Sequence, residues 1–520
     1  MLVQEFLERN AEKTPGREAL VAGTERLTYQ DLEIRSNSLA RTLIEHGVEY
    51  GDRVAVMMDN SAGCVTAIWA ALKAGGIFLV INPTTKEHKT EYILNDCGAT
   101  ALITHSSRWK SASGAASGAP SLRCVVLAGK EAAAPEGFSA EIISWDEALK
   151  SPESRPGIRT IDIDLASLVY TSGTTGNPKG VMMTHRNMIS ASTSITTYLE
   201  NVESDIILNA LPLSFDYGLY QVIMAAQFGG KLVLEKSFTY PYAVINKLKE
   251  ERVTGFPVVP TMLTILLRLK GIQNENLEHL RYITNTAAAL PVSHIRKFRE
   301  YFPEVTVYSM YGLTECKRVS YLPPEMIDQK PASVGKGMPN EQVYLVDEDG
   351  NIIDQPDTPG ELVVRGGNVS RGYWGKPEET ARILKEGRYP WEKVLYTGDI
   401  FKMDRDGYLY FISRKDDIIK SRGEKVSPRE IENVLYMIED VMEAAVTGEP
   451  DELLGEAIKV YLRLADGSKL TEKDILRHCA ANLEDFMVPQ VVEIRDSLPR
   501  TASGKITKKS IQPISKKGRK

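Results

Sequence analysis

Between residues 27 and 82 the apolar positions change period several times. Leu32, Leu39 and Leu43 recur at helical spacing. RVAVMM (53–58) then runs apolar without a break, as a buried strand does. A second helical stretch reaches about Lys73, and IFLVI follows as the next strand. Thr28 with Asp31 predicts a capping-box start for the first helix, and Gly47 a glycine stop. Strands alternating with helices predict a mainly parallel sheet covered by helices. SASGAASGAPS (111–121) reads as a solvated low-complexity loop.

From about residue 331 the pattern shortens. VYLVDEDGNII and GELVVRG are short strands around Asp-Gly or Pro-Gly turns, and RDGYLYFISRKDD is a further pair. Residues 331–412 are therefore expected to form a small β-barrel or sandwich. After Asp416 the texture changes again. Ser427, Pro428 and Glu430 predict an N-cap serine, a first-turn proline and a capping-box glutamate. Ile431, Val434, Leu435 and Ile438 give that helix its buried face, and IKVYLRL and VVEIRD are later strands. The expected fold class is α/β. A large N-terminal domain of layered α/β subdomains plus a small β-barrel (1–415) precedes a small α+β C-terminal domain (416–520).

The length of 520 residues agrees with more than one domain. A net charge of −6 argues against nucleic acid as the main partner, because phosphate backbones select a basic face. Five scattered cysteines, Cys64, Cys97, Cys124, Cys316 and Cys479, fit a reducing compartment. The seven histidines show no ligand-spaced pair. Glu5, Glu8 and Arg9 stand where a signal peptide would be apolar. Lys73 and Gly75-Gly76 interrupt the longest greasy stretch, so no membrane span is expected. These features together predict a cytoplasmic protein.

The segment YTSGTTGNPKGVMMTH (170–185) carries the chemistry. Gly173 and Lys179 fit a Walker A loop, but Pro178 stands at its second glycine and Gly180 at its hydroxyl. The following VMM is strand-like and is no helix start. The pattern is strand, loop, returning strand. An anion there would be held by backbone N–H groups, the hydroxyls of Thr171, Ser172, Thr174 and Thr175, and the Lys179 charge. These departures disfavour a P-loop kinase or ATPase.

TSGTTGNPKG resembles the phosphate loop of the adenylate-forming enzymes: acyl-CoA synthetases, luciferases and the adenylation domains of peptide synthetases. Four further motifs follow in that superfamily's order: MYGLTE (310–315), YTGD (396–399), SRKDDIIKSRGEKVSP (413–428) and PRTASGKI (499–506). The resemblance implies a two-step reaction. A carboxylate attacks the α-phosphorus of ATP, releasing pyrophosphate; a thiol then takes the acyl group and releases AMP. The implied cofactors and substrates are ATP, Mg²⁺ and coenzyme A, or a carrier-bound phosphopantetheine.

By that resemblance, residues 171–179, including Gly176, grip the β- and γ-phosphates. Glu315 would ligate Mg²⁺, Thr314 would bond the α-phosphate and Tyr311 would stack on adenine. Asp399 would accept both ribose hydroxyls, since a carboxylate can take two donors at once, with Arg414 beside it. Lys505 would bridge the substrate carboxylate and the α-phosphate. Asp416 resembles a hinge on which a mobile C-terminal domain turns after adenylation, bringing Lys420 and Gly423 to the pantetheine path.

Two stretches depart from the fatty acyl pattern. In LPLSFDYGLY (211–220), Asp216 follows Phe215 and resembles the aspartate that binds the substrate amine in amino-acid-activating enzymes. In TNTAAALP (284–291), Thr286, Ala287 and Ala288 would narrow the acyl pocket. The leading expectation is an AMP-forming acyl-CoA synthetase acting on a small acid. The alternative is a stand-alone amino-acid adenylation enzyme loading a separate carrier protein. A luciferase-like oxygenase and a non-catalytic nucleotide sensor are further readings; the presence of Lys179, Glu315, Asp399, Arg414 and Lys505 speaks against the sensor.

Overall fold

The computed structural model describes residues 1–157, 159–171, 177–286, 290–421, 424–451, 454–500, 506–508 and 511. The readings for Ser172, Gly173, Thr174, Thr175, Gly176, Ala287, Ala288, Gly423 and Lys505 lie outside these residues, as do those for the side chains of Asp416 and Lys420.

Two mainly parallel sheets build the N-terminal body. In the first, Glu18–Ala22, Lys231–Leu234, Ile206–Asn209, Gly255–Val258, Tyr282–Asn285 and Thr306–Tyr311 run parallel, with antiparallel strands at both edges. In the second, Glu141–Ser144, Cys124–Ala128, Ala99–His105, Arg53–Met57, Ile77–Val80 and Leu165–Thr171 run parallel, and Lys179–Thr184 returns antiparallel. Their strands are apolar on both faces, as parallel strands under helices must be. The helix Ala62–Lys73 shares one core with side chains of both sheets, which explains its nearly all-apolar sequence. Its last residue, Lys73, is buried but ion-paired to Glu33 at 2.8 Å and Glu8 at 3.2 Å. A buried ammonium without such partners would cost several kcal/mol, on the order of 3–5.

The expected β-rich segment is an antiparallel sheet. Its long strand Lys393–Met403 pairs with Gly360–Gly366, Leu384–Glu386 and Leu409–Arg414. The chain then enters a sheet that joins Ile419–Ser421, Glu424–Val426, Val441–Asp451, Gly455–Leu464 and Val491–Ile494. The helices Pro428–Leu435 and Glu472–Asn482 cover it over a separate core.

Local signals mostly hold. Thr28 and Asp31 form the reciprocal capping box. Two readings need correction. Residues 111–117 belong to the helix Ser106–Ser117 and are no linker. Ala112, Ala115 and Ala116 are fully or almost fully buried, so small residues there permit close packing rather than disorder. At Gly118 and Gly114 an added Cβ would meet Glu91 and Glu87 of the neighbouring helix Glu87–Cys97. The helix at Pro428 has no capping box: Ser427 Oγ donates to Ile412 O at 2.5 Å, tying the helix start to the preceding sheet.

His185 opens the helix His185–Tyr198, is 1% exposed, and accepts a hydrogen bond from the Val3 N–H at 3.1 Å. Burial pushes its pKa down from 6.5 to about 4. Between those values the unfolded chain binds the extra proton, so stability rises with pH there and is lost as pH falls from 6.5 toward 4. The full window amounts to about 3 kcal/mol. His185→Gln is therefore expected to shrink the drop in melting temperature between about pH 7 and about pH 5. An unchanged drop would show that His185 does not titrate with unfolding.

Candidate active site

The C-terminal ends of the parallel strands converge where both smaller sheets meet the body. One cavity of about 910 Å³ opens there. That is where open parallel sheets place ligands. Its walls include Thr171, Lys179, Phe215, Asp216, Thr286, Tyr311, Thr314, Glu315, Asp399 and Arg414, every described residue that the sequence assigned to substrate or nucleotide. The C-terminal sheet and its flanks contribute Arg429, Glu432, Arg500, Ile506 and Lys508.

The phosphate end rests on a hairpin. Leu165–Thr171 and Lys179–Thr184 pair antiparallel, and Thr171 faces Lys179 in the final rung. These are the outgoing and returning strands expected; residues 172–176 between them lie outside the described ones. Residues 371–374 add alongside: Arg371 N–H donates to Met182 O at 2.9 Å and Trp374 N–H to Gly180 O at 2.8 Å. That strip delivers Tyr373, which sequence reasoning missed. The Lys179 ammonium lies 5.3 Å from the Tyr373 ring centre, and the Tyr373 hydroxyl donates to Glu315 Oε1 at 2.6 Å. Burial and the adjacent Glu315 carboxylate push the Tyr373 phenol up, so it remains a donor. Two adjacent aromatics between glycines, RGYWG (371–375), are the only signal in the sequence.

The strand Thr306–Tyr311 ends in a turn with little room. A Cβ at Gly312 would sit 2.5 Å from Lys317 O. Asn368 fixes the far side, donating to Cys316 O at 2.8 Å and Arg318 O at 3.0 Å. Ser370 N–H holds Glu315 O at 2.8 Å. Glu315 thus has a fixed backbone and one bonded carboxylate oxygen. Among the described residues no group of three or more His, Cys, Asp or Glu could hold a metal. A single anchored carboxylate suits Mg²⁺, which keeps waters and phosphate oxygens rather than a protein cage.

At the nucleoside end, antiparallel register places Asp399 opposite Arg414. Arg414 Nε lies 3.1 Å from Asp399 Oδ1, and the Tyr311 hydroxyl donates to Asp399 Oδ2 at 2.5 Å. The Tyr311 ring packs edge-on to Phe401 at 4.8 Å. The phenol tip is pinned by the acid expected to hold ribose, which joins the two motifs into one rigid unit.

The remaining stretch of wall is mostly apolar: Phe215, Val259, Pro260, Thr264, Thr286, Pro291, His294 and Met310. Burial holds the His294 imidazole down at about 4, so it is uncharged near neutrality. Asp216 departs from expectation. Lys317 Nζ donates to Asp216 O at 2.9 Å and lies 3.4 Å from Asp216 Oδ2. The chain's own Lys317 amine stands where a substrate amine was expected, because the turn after Glu315 folds it back into the pocket.

A nucleotide end, a phosphate end and an apolar recess in one cavity define an adenylate-forming ligase. Residues 7–374 match the AMP-binding enzyme family and residues 430–505 match the AMP-binding enzyme C-terminal domain. The chain is 30% identical to the long-chain-fatty-acid–CoA ligase of Bacillus subtilis (strain 168), over 98% of this chain and 94% of that protein. It is 32% identical to the feruloyl-CoA synthase of Amycolatopsis sp over 97% of each. An anthranilate CoA ligase structure in complex with anthranoyl-AMP superposes with a TM-score of 0.88 at 27% identity, covering 97% of this chain and 95% of that one. The chain belongs to the AMP-binding enzyme family, as an AMP-forming acid–thiol ligase of acyl-CoA synthetase type. No helix among the described residues is long and apolar enough to cross a membrane.

Proposed function

We propose that this enzyme activates a carboxylic acid as its acyl adenylate and passes the acyl group to the thiol of CoA. The single cavity carries this reading: nucleoside, phosphate and acyl walls are continuous, and residues of the C-terminal sheet complete them. Asp399 and Arg414 would meet the ribose, and the ring of Tyr311 the adenine. Thr171 and Lys179, with residues 172–176, would hold the β- and γ-phosphates, and Thr314 the α-phosphate. Glu315 would hold Mg²⁺, which when bound neutralises charge on the phosphate oxygens. Tyr373 orients that carboxylate. The apolar recess excludes water from the acyl chain and lets the carboxylate approach the α-phosphorus.

CoA fits better than a carrier protein as acceptor, because the relatives of near-equal length named above carry CoA in their names. Five buried, unpaired cysteines suit a cytoplasmic setting. The domain boundary proposed at 415/416 follows the change of sheet between Leu409–Arg414 and Ile419–Ser421. Asp416 lies in the 3₁₀ turn between them and would be the hinge. Asp416→Pro, which fixes φ, is expected to keep acid-dependent ATP–pyrophosphate exchange within about twofold. Thioester formation should fall about tenfold or more, as for other blocked closure steps. Equal loss of both half-reactions would remove the hinge.

A further inference from the structure

Lys317 belongs to the acyl recess, and no step of the reaction above uses it. It lines the cavity yet is only 3% exposed. Its backbone φ is +67°, in the left-handed region. A long side chain there costs about 1 kcal/mol or more that glycine would not. The strain is held by Asn368 on the carbonyls either side. What the strain secures is an amine packed over two aromatic rings, Tyr220 at 4.5 Å and Tyr217 at 5.3 Å; burial pushes its pKa down to about 7, while the adjacent Asp216 favours its charged form. Asp216 is the first residue of the helix Asp216–Phe228, so its carboxylate also lies at a helix N-terminus.

The separation of Lys317 Nζ and Asp216 Oδ2, 3.4 Å, is longer than the roughly 2.7–2.9 Å of a tight charge-assisted contact. A third oxygen about 2.8 Å from each atom would close a triangle. It would accept from the ammonium and donate to the carboxylate. Only a group that both donates and accepts can do this. A second carboxylate would face Asp216, and an ammonium would face Lys317 and the buried Arg318 behind it, whose guanidinium lies 5.3 Å from the Tyr217 ring. A methyl terminus would leave the pair unimproved.

We infer that Lys317 and Asp216 form a specificity subsite for an uncharged hydroxyl on the substrate acid, remote from its reacting carboxylate. The substrate class is then hydroxy acids, aliphatic or aromatic, in preference to plain fatty, dicarboxylic or amino acids. This rests on the adenylation reading above. Lys317 and Asp216 bond each other when no hydroxyl is present, so discrimination is milder than at a site with orphaned polar groups. A factor of about 10 to 10² is expected, below the 10⁴ of such sites.

The test is acid-dependent ATP–pyrophosphate exchange with matched acids of graded length and ring content. Each is supplied plain, with a terminal hydroxyl, with a second carboxylate, and with an amine. The wild-type enzyme is expected to show kcat/KM about 10 to 10² higher for the best hydroxy acid than for its plain counterpart. The double variant Lys317→Met/Asp216→Leu should lose that preference while gaining on the plain acid, since apolar pairs replace buried ion pairs without loss. Equal wild-type rates on plain and hydroxy acids, or a preference for the dicarboxylic or amino acid, would overturn the subsite and leave adenylation standing. Exchange with no acid at all would overturn both. The wild-type comparison decides the matter even where the double variant does not fold.

Discussion

Lys505→Ala is expected to lower acid-dependent pyrophosphate exchange by about 10²-fold or more, the scale of one lost transition-state contact. In the first half-reaction two anions, a carboxylate and an α-phosphate, must come within bonding distance. Lys179, Arg414 and Glu315 line the wall of the N-terminal body, where the proposed reading puts the β- and γ-phosphates, the metal and the ribose. Lys317, also on this wall, is tied to Asp216, so Lys505 is the cation proposed to stand between the two reacting anions. The described residues flanking 501–505 bracket the cavity: Arg500 and Ile506 both line it and pair antiparallel with each other. Arg500 is fixed to Glu443 at 2.8 Å and Lys508 to Glu432 at 2.8 Å. A compact ammonium on a flexible stem suits a contact made in one half-reaction and withdrawn in the next. The variant should therefore still convert supplied acyl adenylate and CoA to thioester at close to the wild-type rate. Wild-type exchange in Lys505→Ala would remove the residue from the chemistry.

Glu315→Gln is expected to have the second large effect, lowering exchange about 10²- to 10³-fold. The substitution keeps size and the hydrogen bond from Tyr373 but removes the charge a divalent cation needs. The Mg²⁺ concentration for half-maximal rate should rise with it. Tyr373→Phe leaves the charge and removes its orientation, so a smaller loss of about 10-fold is expected, as for other residues that position a metal ligand. A Glu315→Gln enzyme with unaltered Mg²⁺ dependence would place the metal on other groups.

Much of this site could be read from local sequence, because its parts are local. The hairpin that sets Thr171 opposite Lys179 follows from Pro178 and the apolar VMM after it. Asp399 and Arg414 were expected together from the resemblance alone; RDGYLYFISRKDD, read as a strand pair, holds one strand, Leu409–Arg414, whose partner is Lys393–Met403 across a tight Asp-Gly turn. Contacts between distant segments were not readable. Lys317 meets Asp216 across 101 positions, and only the crowded turn at Gly312 folds it inward. With Lys317 unplaced, Asp216 looked like a carboxylate in need of a substrate cation. Tyr373 reaches Glu315 through a strip of backbone bonds that has no sequence signature. The helix Ser106–Ser117 was hidden by its composition, since serine, glycine and alanine serve close packing as readily as disorder.

The proposed chemistry has the substrate carboxylate attack the α-phosphorus of ATP. The most direct measurement supplies the acid with both carboxylate oxygens replaced by heavy oxygen, together with ATP and CoA, and weighs the products. Attack at the α-phosphorus leaves a substrate oxygen on the phosphate when CoA releases the nucleotide. AMP carrying one heavy oxygen, unlabelled pyrophosphate, and acyl-CoA in equal amount are expected. Label in orthophosphate, with ADP as the nucleotide product, would contradict the proposed chemistry.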